Sequence, residues 1–163
     1  MNKVSLGARV YNIAEQYGIE QTKVHMIINT YIDYCKYRVI HGYRVDILGL
    51  ASLVPNRVVS NYKYTLAYEC NFIADYLKLP QYTVFVIINE YINSCIDDIM
   101  SGKNVVLRGL FSVFPIRDDT DKVVKAQSSI SSQLKKYLAE EDTCVTSIRV
   151  HTHKFLKYNI KVS

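Results

Sequence analysis

The feature that most constrains this chain is an internal repeat. Slid against itself by 60 positions, residues 13–57 match residues 73–117 without a gap, with 17 identities in 45 positions. The matched pairs run through Ile13/Ile73, Ala14/Ala74, Val24/Val84, Ile27/Ile87, Asn29/Asn89, Tyr31/Tyr91 and Cys35/Cys95. They continue through Gly42/Gly102, Gly49/Gly109, Ser52/Ser112, Pro55/Pro115 and Arg57/Arg117. A fixed offset of this quality marks a tandem duplication. Residues 1–64 form the first repeat, 65–119 the second, and 120–163 a C-terminal extension.

Each repeat reads as helix, helix, strand, strand, so the fold class is α+β. Ser5 and Thr65 are suited to cap a short helix, because their hydroxyls can accept from the free amides of its first turn. Gly18 stops the first of these, since it tolerates a left-handed backbone. The second helix carries an apolar stripe at Val24, Ile27, Ile28, Tyr31, Ile32, Cys35 and Val39. Its copy carries one at Val84, Ile87, Ile88, Tyr91, Ile92, Cys95 and Ile99. Spacing of three and four buries one long face. Gly42 and Gly102 end these helices. Strand-like runs follow at Tyr43–Leu48 with Leu50–Arg57, and at Lys103–Arg108 with Leu110–Arg117. Gly49 and Gly109 between the runs mark a tight turn or a close backbone approach. With Pro55 and Pro115, these four glycines are the fold-defining positions.

In the extension, Asp118-Asp119-Thr120-Asp121 is read as a helix start, with carboxylates near the positive helix end. Lys122–Ala139 is predicted as a third helix. Val145–Val150 and Lys154–Val162 alternate apolar and polar residues, which predicts a closing β-hairpin.

Composition narrows the class. Hydrophobic residues make up 49% of the 163, enough to bury a core. No apolar run approaches the ~20 residues of a membrane span, and the opening Met1-Asn2-Lys3-Val4-Ser5 lacks the apolar centre of a signal peptide. The expectation is a soluble protein inside the cell. Four cysteines without close pairing fit reduced thiols. The net charge of +5 divides unevenly: +4 over residues 1–64, −3 over 65–119 and +4 over 120–163. A protein living on phosphate contacts gathers its charge on one stripe. Here the middle is acidic.

The capped short helix, the long amphipathic helix ending in glycine, the strand and the turn motif together resemble the HU/IHF family of DNA-architectural proteins. The motif stands as Gly49-Leu50-Ala51-Ser52-Leu53 and again as Gly109-Leu110-Phe111-Ser112-Val113. Met1-Asn2-Lys3-Val4-Ser5-Leu6 is similar to that family's opening. The resemblance covers residues 1–57 and 66–117. It implies a fold that works as a dimer, so that two copies in one chain would pair with each other. It also implies a long basic arm with an Arg-Asn-Pro tip that wedges into the minor groove and bends the duplex. That arm is missing. Only Val58–Tyr64 separates Arg57 from the next helix cap, and the second copy reads Arg117-Asp118-Asp119-Thr120-Asp121, whose carboxylates repel phosphate.

No catalytic residues are expected. Cys35 and Cys95 belong to apolar helix faces and read as core. His151, His153 and Cys144 lack the paired spacing of a zinc site. His25 and His41 read as surface or half-buried residues, and Asn29 and Asn89 as partners of a buried polar group or of the contact between repeats. No phosphate loop or nucleophile motif occurs. Neither a metal, a cofactor nor a small-molecule substrate is expected.

Two functions remain. The first is a structural protein that uses an HU/IHF-like unit to contact other protein subunits in a homo- or hetero-oligomeric assembly. It resembles the IHF-like structural proteins of crAss-like tailed phages, which implies a virion head–tail component; outside a phage the location would be cytoplasmic. The Tyr content suits it, since tyrosine is enriched at interfaces. The second is an architectural DNA binder. Its candidate contacts are Arg44, Arg57, Lys63, Lys103, Arg108, Arg117, Lys154 and Lys157.

Overall fold

The computed structural model describes residues 4–60, 62, 64–141 and 143–153. Two helices open the chain, α1 (Leu6–Tyr17) and α2 (Gln21–Ile40), and two short strands follow, β1 (Val45–Ile47) and β2 (Ala51–Pro55). The same order then returns 60 residues later as α3 (Leu66–Leu77), α4 (Gln81–Met100), β3 (Val105–Leu107) and β4 (Phe111–Arg117). The chain closes with β5 (Val123–Ile130), α5 (Ser132–Glu140) and β6 (Ile148–Thr152).

Local chemistry sets the helix ends as the sequence predicts. Ser5 Oγ accepts from the Ala8 amide and Thr65 Oγ1 from the Tyr68 amide, both at 3.1 Å. Gly18 ends α1 at φ 63°, and its counterpart Lys78 ends α3 at φ 58°. A side chain in the left-handed region is uncommon, so Lys78 keeps a stop that the first copy gives to glycine. Both predicted stripes are buried along their whole length on α2 and α4. They merge into one continuous core with Ile13, Ile73, Leu50, Leu110 and Phe111.

Asp118 does not start a helix, and Lys122–Ala139 is not one helix. Asp118 closes a hairpin turn, accepting from the Thr120 amide, the Thr120 hydroxyl and the Lys122 amide. Residues Val123–Ile130 then run back along β4 as β5. Val123, Ala126, Ile130, Leu134 and Leu138 fit a helical period, but Val123, Val124, Ser128 and Ser129 are weak helix formers. In β5 their backbone satisfies the open edge of β4 instead. The helix begins only at Ser131, whose hydroxyl accepts from the Gln133 amide at 3.2 Å.

Of the predicted strand Val145–Val150, Ile148–Val150 is extended, as part of β6, and the partner of β6 is β2, from Ala51↔Thr152 to Pro55↔Ile148. Lys154–Val162, the other predicted strand, lies outside the described residues. The result is two antiparallel sheets of matching order, β1-β2-β6 and β3-β4-β5. β6 fills in the first sheet the place that β5 fills in the second: Ala51 faces Thr152 as Phe111 faces Ile130. The His153 amide donates to Leu50 O as the Ser131 amide donates to Leu110 O. The two outer strands also meet, Ser128 Oγ donating to Val150 O at 3.3 Å.

Pro55 and Pro115 sit in the middle strand of each sheet, where a missing N–H would normally break a ladder. They are tolerated because β1 and β3 pair only as far as Leu53 and Val113. Beyond those residues the middle strand has a neighbour on one side only.

The two repeats pack helix against helix. Arg9 on α1 reaches Asp98 on α4 at 2.8 Å and donates to Ser94 Oγ at 2.9 Å. Tyr17 donates to Glu90 at 3.1 Å. Gly49, at φ 77°, approaches α4 so closely that an added Cβ would stand 3.2 Å from Ile96 Cδ1.

Candidate interaction surfaces

The turn that joins β4 to β5 is short and acidic, with exposed Asp118, Asp119 and Asp121. The Asp118 carboxyl is held below its usual range by the hydrogen bonds from Thr120 and Lys122. Arg117 at the base of the turn is engaged internally. It donates to Gly102 O and Asp121 O, both at 2.9 Å, and lies 3.4 Å from the Asp121 carboxylate.

The other candidate cations are dispersed. Arg44 and Arg57 are exposed and flank one end of the first sheet, before β1 and after β2. Lys103 occupies the equivalent end of the second sheet, 3.9 Å from Asp98. Arg108 lies in the β3–β4 turn at that sheet's opposite end, also exposed. Lys63, Lys154 and Lys157 lie outside the described residues. Among the described candidates, Arg117 bonds to Gly102 beside Lys103, while Arg108 lies at the opposite end of the same sheet, so the second repeat does not gather its cations at one end.

The three buried cysteines are poor nucleophiles. Burial pushes the Cys95 thiol up to about 11 and the Cys70 thiol up to about 12, and it raises Cys35 strongly. Such thiols stay protonated and unreactive. Among the described residues, no group of three or more His, Cys, Asp or Glu side chains is placed to hold a metal. His153 Nε2 instead stands 3.4 Å from Asp46 Oδ1. No described helix is long and apolar enough to cross a membrane.

The most developed surface is aromatic, and the sequence reading missed it. Between α2 and α3 lies an open trough of about 480 Å³, lined by Thr30, Asp33, Tyr34, Tyr37, Phe72, Ile73 and Tyr76. A second hollow of about 210 Å³ shares Tyr34, Tyr37 and Phe72 with it and adds Arg38, Tyr43, Tyr64 and Tyr68. Tyr37 is 64% exposed, Phe72 55% and Tyr76 73%, so these rings are not core. Tyr34 packs on Phe72 with centroids 5.5 Å apart, and Tyr64 stacks on Tyr68 at 4.5 Å. Under them the Arg38 guanidinium sits 4.2 Å from the Tyr64 ring centre, 5.0 Å from Tyr43 and 5.8 Å from Tyr34. Arg38 also donates to the Tyr34 hydroxyl at 3.1 Å.

The duplication supplies an internal comparison. In the copy of this trough, Phe72 and Tyr76 correspond to Asn12 and Gln16, while Tyr34 and Tyr37 correspond to Ser94 and Asp97. Tyr43 corresponds to Lys103 and Tyr68 to Ala8. The helices are the same length in both copies, so the fold does not demand these aromatics. The signal was available in the sequence, but in the positions where the repeats differ rather than where they agree.

No protein-family model matches the chain, and none of the curated proteins compared with it shows significant similarity.

Proposed function

We propose that this chain is a non-enzymatic structural protein that uses an HU/IHF-like architecture for protein–protein contacts. The setting that the resemblance implies is the head–tail region of a phage virion. The observation that carries the reading is the exposed aromatic face on one side of the duplicated body. Exposed, clustered rings mark binding surfaces, and Tyr is favoured at protein interfaces because it buries large area with few rotatable bonds. The order helix, helix, three strands, helix over residues 66–140 supports the architectural part.

DNA architecture is the rival. It is disfavoured by three carboxylates at the hairpin tip, by an Arg117 held in internal bonds and by cations spread over several ends of the sheets. Native mass measurement of the purified chain with its co-expressed neighbours tests the proposal. Stable complexes burying more than ~1,000 Å² per interface are expected. A chain that remains solitary at high concentration and with every structural neighbour would contradict it.

A further inference from the structure

We propose that the trough between α2 and α3 is a docking site for an extended, proline-bearing segment of another protein chain that carries a cationic residue. This rests on the assembly reading above and names the contact it uses. Three features choose the occupant. The two hollows adjoin, sharing Tyr34, Tyr37 and Phe72, and together reach from Tyr76 to Tyr64, which suits an extended strand of peptide rather than a compact ligand. Its walls are a ladder of tyrosine and phenylalanine rings, the lining that accepts the preformed left-handed helix of proline-rich peptides while the ring hydroxyls donate to peptide carbonyls.

Charge decides the rest. Asp33 is the exposed charged residue of the larger trough, and it favours a lysine or arginine on the incoming chain. Arg38 does not create an anion site: it is 8% exposed and lies beneath Tyr34, Tyr43 and Tyr64. A nucleic-acid strand could stack its bases on such rings, but its phosphates would meet Asp33, and the described lining of the larger trough carries no cation. The internal copy shows what the fold carries without this task, because it places Asn12, Gln16, Asn93 and Ser94 at the corresponding positions.

The test uses the full chain and an end-labelled peptide of Pro-Pro-Leu units ending in Arg. Two further probes are the same peptide ending in Glu and a mixed-sequence single-stranded oligonucleotide. Variants borrow residues that the other repeat already carries: F72N with Y76Q, and D33N. Their thermal melts report folding. Saturable binding of the Arg peptide is expected, weakened about tenfold in F72N/Y76Q, as when hot-spot rings are removed. D33N should weaken the Arg peptide roughly threefold and strengthen the Glu peptide, whose carboxylate it no longer repels. Absence of peptide binding, equal affinity in a folded F72N/Y76Q variant, or displacement of peptide by the oligonucleotide would each overturn the proposal. Loss of peptide binding with assembly intact removes only this site, whereas nanomolar duplex binding removes the assembly reading itself.

Discussion

Arg9 Nη1 lies 2.8 Å from Asp98 Oδ2 across the contact between the repeats, and the equivalent positions, Glu69 and Arg38, carry the opposite signs. Arg38 draws on Glu69 electrostatically in the second half as Asp98 draws on Arg9 in the first. Pairing a repeat with its own kind would set Arg9 against Arg38, or Glu69 against Asp98. The reversal therefore favours association of unlike repeats by penalising the alternatives. R9E should destabilise by about 3 kcal/mol, since it leaves two carboxylates in a largely buried contact. Adding D98R should recover most of the loss, because it recreates the arrangement found at Glu69 and Arg38. Chemical denaturation of the two single variants and the double variant measures the coupling.

Glu69 gives the fold a pH dependence. Burial raises its carboxyl from 4.5 to about 7, and Arg38 only partly opposes this. Between those values the folded chain holds a proton that the unfolded chain has released, so stability falls as pH rises. The contribution is present below about 4.5, is lost by about 7 and is worth at most ~3 kcal/mol. E69Q should flatten the slope between pH 5 and pH 8 in urea melts. An unchanged slope would show that Glu69 is ionised throughout.

Gly49 and Gly109 share a positive φ, 77° and 79°, but not a neighbourhood. A Cβ at Gly49 would press on Ile96 Cδ1 at 3.2 Å, whereas at Gly109 the nearest atom is Gln133 Oε1 at 3.8 Å. Alanine at either position costs about 1 kcal/mol for the backbone. G49A should cost visibly more than G109A, and comparison of their melting temperatures checks the difference.

The helical half of the fold was legible in the sequence because Ser5, Thr65 and the two long stripes act locally: caps and periodic apolar faces need no distant partner. Val123–Ile130 was not, because its apolar spacing fits a helix and only the unpaired edge of β4 selects a strand. The predicted strand Val145–Val150 overlaps β6 only at Ile148–Val150, and its partner β2 lies almost a hundred positions away and leaves no local trace. The candidate cations were visible as residue types, but Arg117 looks available until its bonds to Gly102 and Asp121 are seen. The aromatic trough was hidden because its members, Tyr34, Tyr37, Phe72 and Tyr76, come from helices of different repeats.

The central claim is that this duplicated body contacts protein rather than gripping DNA. A titration of the full chain against an end-labelled duplex over a range of salt concentrations tests it most directly, because phosphate contacts release counterions and give a steep salt slope. The structure leads us to expect only weak, non-specific binding, on the order of 10⁻⁴ to 10⁻⁶ M at physiological salt, with no bend in the duplex. Nanomolar affinity with a steep salt slope and a bent duplex would contradict the account.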